Sequence, residues 1–254
     1  MTASAATAPL LATSALCRRF GALEAVRDVA LDLRRGQLHA VIGPNGAGKS
    51  TLVNLLSGEL PPSSGSIRLD GSDVAGLPVW RRARLGIGRS YQRTNIFASL
   101  SVLENTRLGA QARLGGGQLT APVAAAEDLR ASARQALARV GLSAQESRIA
   151  GLLSHGEQRQ LEIAMALATS PRVLLLDEPL AGMGPEESRR MSTLLKSLAR
   201  EHAVLLIEHD MDVVFEVADW MTVMVDGAVL AAGPPAAIRA NAAVQNAYLG
   251  GEAP

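Results

Sequence analysis

The sequence predicts an α/β protein with a mostly parallel core sheet and an inserted helical region, and three observations carry that prediction. Val173-Leu174-Leu175-Leu176 and Val204-Leu205-Leu206-Ile207 are uninterrupted apolar runs, the pattern of parallel strands covered on both faces. Leu38-His39-Ala40-Val41-Ile42 leads into a glycine-rich turn and then into helical character from Lys49 to Leu56, so a buried strand passes through a tight turn into a helix. From about Asn95 to Ser170 the pattern becomes helical. There Leu129, Ala133, Ala136, Leu137 and Val140 share one helix face, and Gly141 closes it.

The remaining elements follow in order. Ile67-Arg68-Leu69-Asp70-Gly71 alternates and ends in Asp-Gly, a strand with its turn. Gly115-Gly116-Gly117 reads as a loop within the helical region. Pro185 to Arg200 reads as a crossover helix between the two apolar runs. Met221 to Val225 and Ala228 to Ala232 read as a final hairpin around Asp226-Gly227.

Composition narrows the function classes. The chain has 254 residues and is 48% hydrophobic, which excludes global disorder. Aromatics are 3%, too few for a base-stacking platform. Lys+Arg number 25 against 24 Asp+Glu, a net +1, so no field holds a polyanion and nucleic acid is not an expected partner. One cysteine, Cys17, allows neither an internal disulfide nor a multi-thiolate metal site and suits a reducing compartment. No uncharged apolar run reaches the roughly 20 residues of a membrane span, so a membrane role is expected through a partner. The first 17 residues carry no charge, but they lack the basic start of an export signal. Leu16 is also too large for a lipoprotein cleavage site before Cys17. Residues 1–11 are expected to be a disordered tail.

Gly43-Pro44-Asn45-Gly46-Ala47-Gly48-Lys49-Ser50, with Thr51 next, satisfies G-x-x-x-x-G-K-[ST]. Glycines let backbone N–H groups converge on phosphate oxygens, the following helix presents its positive end, Lys49 reaches the β and γ phosphates, and Ser50 coordinates Mg²⁺. The cradle by itself does not separate a kinase, a GTPase, a helicase or a transporter motor. Leu176-Asp177-Glu178-Pro179 places two carboxylates at the end of an apolar strand, where a parallel sheet faces its ligand crevice. Asp177 is expected to hold Mg²⁺ and Glu178 to orient and deprotonate the attacking water. Small regulatory GTPases do not place a base directly after this aspartate, and nucleoside kinases need none. Leu153-Ser154-His155-Gly156-Glu157-Gln158 precedes an apolar helical run, with Ser154 as N-cap and Glu157 as its capping-box partner. Glycine in a first turn costs stability, so Gly156 reads as allowing close backbone approach to an anion.

At this point the residues carry a resemblance. Leu-Ser-x-Gly-x-Gln upstream of Asp177-Glu178 resembles the signature of ATP-binding cassette (ABC) ATPases, with His155 where glycine is commoner. Gln92, in Arg89-Ser90-Tyr91-Gln92-Arg93, is similar to the Q-loop glutamine; His209 resembles the switch histidine; Phe20 resembles the aromatic that stacks on adenine. The resemblance covers residues about 13 to 235. It implies a P-loop ABC cassette whose core sheet is joined by an N-terminal antiparallel β subdomain and a helical subdomain. The implied domain is 12–254, with 12–93 and 166–254 as nucleotide core and 94–165 as the helical part.

The resemblance further implies Mg-dependent ATP hydrolysis. Glu178, His209 and Gln92 act at the reaction centre, Ser50, Gln92 and Asp177 hold the metal, and Ser154, Gly156 and Gln158 are lent to the nucleotide of a second cassette, in a homodimer or heterodimer. Partners would be membrane permease subunits and, indirectly, a solute-binding protein, at the cytoplasmic face of the inner membrane. One departure is visible: the stretch after Glu178 reads Leu180-Ala181-Gly182-Met183-Gly184-Pro185, with Gly184 where the family commonly has Asp. Phe20-Gly21, Ile87 to Arg93, Gln158 to Ala164, Ala181-Gly182-Met183 and Ala247 to Gly250 resemble ATPases of branched-chain amino acid importers. Urea or amide importers and lipopolysaccharide exporters share parts of this pattern. A non-hydrolysing nucleotide-gated module is the alternative class, and Glu178 and His209 argue against it. The other histidines are read plainly: His39 as strand packing, His202 as a cation at a helix end.

Overall fold

The computed structural model describes residues 8–92, 95–113 and 123–249. In chain order the strands and helices are β1 (Leu11–Phe20), β2 (Leu23–Leu33), β3 (Gln37–Ile42), α1 (Lys49–Ser57), β4 (Ser64–Leu69), β5 (Ser72–Asp73), α2 (Val79–Arg84), β6 (Ile87–Arg89), α3 (Val102–Ala112), α4 (Val123–Val140), α5 (His155–Ala168), β7 (Val173–Asp177), α6 (Pro185–Ala199), β8 (Ala203–Ile207), α7 (Met211–Val217), β9 (Trp220–Val225), β10 (Ala228–Gly233), α8 (Pro235–Arg239) and α9 (Ala242–Leu249). They divide into two compact units, residues 1–79 with 195–254, and residues 80–194.

In the first unit, β2, β1, β4 and β5 form an antiparallel sheet in that order, the expected antiparallel β subdomain. The Asp70-Gly71 turn takes positive φ at both residues, +52° and +76°, the twist a two-residue hairpin requires. Leu10 and Leu11 are not part of a disordered tail, as was expected of residues 1–11. Leu10 already donates to Leu33 O and accepts from Asp70 N–H, and Leu11 is wholly buried; its burial against the sheet fixes the strand start. Residues 1–7 lie outside the described set.

The same unit holds β3 between β8 and β9, parallel to both, and β9 pairs antiparallel with β10. Ala40, Ile42, Met221, Val223, Val214 and Ile238 close one core cluster on it. The β9–β10 turn is Asp226-Gly227 at +49° and +79°, as the sequence predicted. His39 is buried in β3: its Nδ1–H donates to Asp32 O at 3.1 Å, and Nε2 accepts from the Thr222 hydroxyl at 2.8 Å. Burial lowers its pKa from 6.5 to about 4, which keeps the ring neutral at pH 7. His202 lies just after α6 and is buried, its backbone N–H donating to Leu198 O and its carbonyl accepting from Gly36 N–H.

In the second unit β6 and β7 pair in parallel, Ile87 opposite Val173 and Arg89 opposite Leu175. Helices α3, α4 and α5 pack on one another, and α5 also packs on β6. This packing takes β6 and β7 with the helices, so the unit is wider than the 94–165 insertion expected. The five face residues of α4, Leu129, Ala133, Ala136, Leu137 and Val140, are all buried. Gly141, at φ +79°, ends the helix with Gly141 N–H on Ala138 O and Leu142 N–H on Leu137 O, a Schellman closure. The helical region starts later than expected, at Val102. Buried Asn105 holds the preceding segment irregular: its Oδ1 accepts from Phe97 N–H at 2.8 Å and its Nδ2 donates to Phe97 O at 3.0 Å and Ser101 O at 2.9 Å. The glycine run 115–117 lies outside the described residues.

Candidate functional site

In the first unit the phosphate cradle is built on the end of β3. Gly43 has φ +156°, and a Cβ there would sit 2.2 Å from Met224 O. Gly48 has φ +96°, and its Cβ would meet Ala25 O at 2.3 Å. Both contacts are with backbone, so no side-chain rotation relieves them. Gly46, at φ +82°, has open space around it and is glycine for its backbone conformation alone. Helix α1 starts on Gly48 with no side-chain cap and no acid in its first turn. A helix start of this kind suits the binding of an anion. Ala47 is buried beneath the loop, while Pro44, Asn45 and Ser50 are exposed and Thr51 half-buried. The Lys49 ammonium donates to Gly43 O at 2.6 Å and Pro44 O at 3.0 Å, folded across the loop that it serves.

His209 follows β8, which pairs with β3 in parallel, Ile207 opposite Val41. The cradle and His209 therefore leave the sheet at the same edge. Glu208 is buried and His209 exposed; Glu208 Oε2 accepts the His209 N–H at 3.2 Å and lies 3.7 Å from its Nδ1. Asp210 caps α7 by accepting from Val213 N–H. Phe20, at the end of β1, is 43% exposed, with the Arg18 guanidinium 4.6 Å from its ring centre. An exposed ring beside a cation suits stacking on a flat base.

The second unit repeats this logic. Parallel β6 and β7 send Ser90-Tyr91-Gln92 and Asp177-Glu178 out at one edge, joined by Ser90 N–H on Leu175 O at 2.9 Å. Asp177 is buried, with Arg89 Nη2 3.7 Å from its Oδ2. Sequence reasoning missed this arginine; its register opposite Leu175, two residues from Asp177, is the signal that finds it. The Gln92 amide donates to Glu178 Oε2 at 3.0 Å. Glu178 itself has φ +48°, a conformation that non-glycine residues rarely hold and that costs on the order of 1 kcal/mol. It is held by the turn in which Ala181 N–H donates to Glu178 O.

Ser154 caps α5, accepting from Glu157 N–H at 3.3 Å, while Ser154 N–H donates to Glu157 Oε2 at 2.8 Å. That reciprocal bond holds the Glu157 carboxyl below its usual pKa. Gly156 is buried, and a Cβ there would lie 2.8 Å from Glu187 Oε1, the end of a flexible side chain on α6 that could turn aside. Gln158 spends its amide on Leu153 O at 3.2 Å. His155 places Cε1 3.4 Å from the position of a Gly182 Cβ, bringing the helix start against the turn after Glu178. Ser154, Gly156, Glu157, Gln160, Glu187 and Arg190 line an open cavity of about 220 Å³. Gly184 begins α6: its carbonyl accepts from Ser188 N–H and its N–H donates to Glu187 Oε2 at 3.3 Å. Among the described residues no helix is long and apolar enough to cross a membrane.

The comparisons with known proteins agree with this geometry. The family model for ABC transporters matches residues 26–181, and that for branched-chain amino acid ATP-binding cassette transporters matches residues 228–254. The chain is 43% identical over 251 residues to the high-affinity branched-chain amino acid transport ATP-binding protein BraF of Pseudomonas aeruginosa, covering 95% of this chain and 98% of that one. It is 40% identical over 250 residues to LivG of Escherichia coli, with the same coverage. Among solved structures, the ADP conformation of an ATP-binding cassette of an ABC transporter superposes with a TM-score of 0.85 at 28% identity, over 96% of this chain and all of that one. Glycine-bound cradle, paired carboxylates, capped signature helix and these likenesses lead to one conclusion: the chain belongs to the ABC transporter family and is one of its ATPases.

Proposed function

We propose that the chain is the ATP-hydrolysing motor of an importer for branched-chain amino acids, acting in pairs of cassettes on membrane permease subunits. The observation that carries the solute class is the match of residues 228–254 to the branched-chain amino acid cassette model, supported by 43% identity to BraF along nearly the whole of both chains. The residues supply the chemistry in order. The α1 amides and Lys49 bind the phosphates. Glu178 takes a proton from the attacking water, and His209 contacts the terminal phosphate. Ser50, Asp177 and Gln92 are hard oxygen donors that suit Mg²⁺, which when bound neutralises charge on the phosphates. A single cassette leaves one side of the terminal phosphate open to water. The N-terminal turn of α5, with Ser154 and Gly156, is what a second chain brings to close it. ATP then binds the closed pair more tightly than the open one, and hydrolysis releases it. The docked permease and an external solute-binding protein confer solute choice, and the cassette works at the cytoplasmic membrane face.

Cells lacking this chain, complemented with it or with Lys49→Ala, test the reading. Radiolabelled leucine, isoleucine and valine uptake is expected with the parent and lost with Lys49→Ala. Uptake of urea instead, or unchanged uptake of all three amino acids without the chain, overturns it.

A further inference from the structure

Helix α5 carries a buried ion pair that the reaction scheme leaves unused. Arg159 and Glu162 are each 5% exposed, and Arg159 Nη1 donates to Glu162 Oε2 at 2.9 Å. A buried pair of charges on one helix is costly unless its remaining donors and acceptors are engaged. Here all but Arg159 Nε, which is buried without a hydrogen-bond partner, are engaged on one segment. Arg159 Nη1 also donates to Tyr91 O at 2.7 Å, and Nη2 donates to Gln92 O. Further along the chain, Glu162 Oε1 accepts the Asn95 N–H at 2.6 Å. One guanidinium and one carboxylate therefore hold the backbone at Tyr91, Gln92 and Asn95. The Gln92 side chain in turn donates to Glu178. Burial raises the Glu162 pKa, while the Asn95 N–H and Arg159 oppose the shift, so the carboxylate depends on these partners for its charge.

We infer that Arg159 and Glu162 are positioning residues for Gln92, bracing its backbone from the same helix whose first turn is the signature. This rests on the reading of Gln92 as a residue of the reaction centre. The brace gives that helix a direct mechanical connection to Glu178: a shift of α5 moves the Tyr91 and Gln92 carbonyls, and with them the amide on the general base. A planar fork is needed to hold two neighbouring carbonyls at once, which a lysine ammonium does not reproduce.

The test uses the full chain with Arg159→Lys, Glu162→Gln, Gln92→Ala and the double variant Gln92→Ala/Arg159→Lys. Expected for Arg159→Lys is a fall in kcat of about tenfold with ATP affinity within about twofold of the parent. Amide exchange in the segment 88–98 should become faster, while that in β3 is unchanged. Glu162→Gln, which keeps an oxygen for Asn95, should fall less, about threefold, and guards against a misfolded lysine variant. The double variant should be no slower than Gln92→Ala alone, because removing the braced side chain removes the use of the brace. Multiplicative losses in the double variant, or parental kcat and exchange in both single variants, overturn the inference. Parental kcat in Gln92→Ala overturns instead the assignment of Gln92 to the reaction centre. The exchange data distinguish the two failures, since they report the backbone grip independently of turnover.

Discussion

Gln92 and Glu178 meet through a single hydrogen bond, Nε2 to Oε2 at 3.0 Å, although 86 residues separate them. In this conformation the carboxylate proposed as general base is occupied by an amide donor and sits on a left-handed backbone. Any approach of a water to Oε2 competes with Gln92. Glu178→Gln keeps the size and the hydrogen bond but removes the basicity. We expect kcat to fall by about 100-fold or more, with ATP affinity retained and nucleotide-dependent dimers accumulating. Single-turnover hydrolysis, calorimetry and size-exclusion chromatography with ATP check this; parental turnover contradicts the assignment.

The cradle glycines separate by what surrounds them. Gly48→Ala drives a Cβ into Ala25 O, and should destabilise the chain by about 2 kcal/mol or more while lowering ATP affinity at least about tenfold. Gly46→Ala has free space and only its φ against it, so about 1 kcal/mol is expected. Urea unfolding and calorimetry on both variants read the contrast, and equal losses would show that steric contact is not the cause.

Ser154 has a structural role and a proposed ligand role, and substitution separates them. Ser154→Ala removes the oxygen that accepts from Glu157 N–H and should cost about 1 kcal/mol. Ser154→Asp restores a good cap but sets a negative charge where a facing terminal phosphate is proposed. Stability near the parent, with loss of ATP-driven dimerisation, is the expected outcome. Normal dimerisation of the aspartate variant would argue that this helix start does not face phosphate.

The buried His39 makes stability depend on pH. Its folded pKa is about 4 against 6.5 for the ordinary ring, so the unfolded chain takes the proton first on acidification. The stabilisation is complete above pH 6.5 and is lost as pH falls from 6.5 toward 4. Between pH 7 and pH 5 this residue alone should remove about 2 kcal/mol. Urea midpoints at the two pH values should differ less in His39→Gln than in the parent, whatever the offset that the substitution adds at pH 7. An unchanged difference would assign the acid sensitivity elsewhere.

Much of the fold was legible because its signals are local. The apolar runs at 173–176 and 204–207 became strands with every residue buried, since a strand covered on both faces needs no alternation. The Asp-Gly pairs at 70–71 and 226–227 became turns because positive φ is a property of those residues. The capping box of Ser154 and Glu157 spans three residues and formed as read. The start of the helical region was misplaced because Asn105 acts on backbone up to eight residues away, beyond the reach of a periodicity window.

The sequence by itself determined which residues can cradle phosphate and which carboxylates can carry the chemistry, because those roles depend on glycine conformations, a cap and the end of an apolar strand. Only the tertiary structure decided that Arg89 stands over Asp177, that the Glu187 carboxylate lies against Gly156, and that Arg159 and Glu162 hold the backbone at Tyr91, Gln92 and Asn95. These are contacts between segments tens of residues apart, and side-chain type alone does not fix which segments the packing of α5, α6, β6 and β7 brings together.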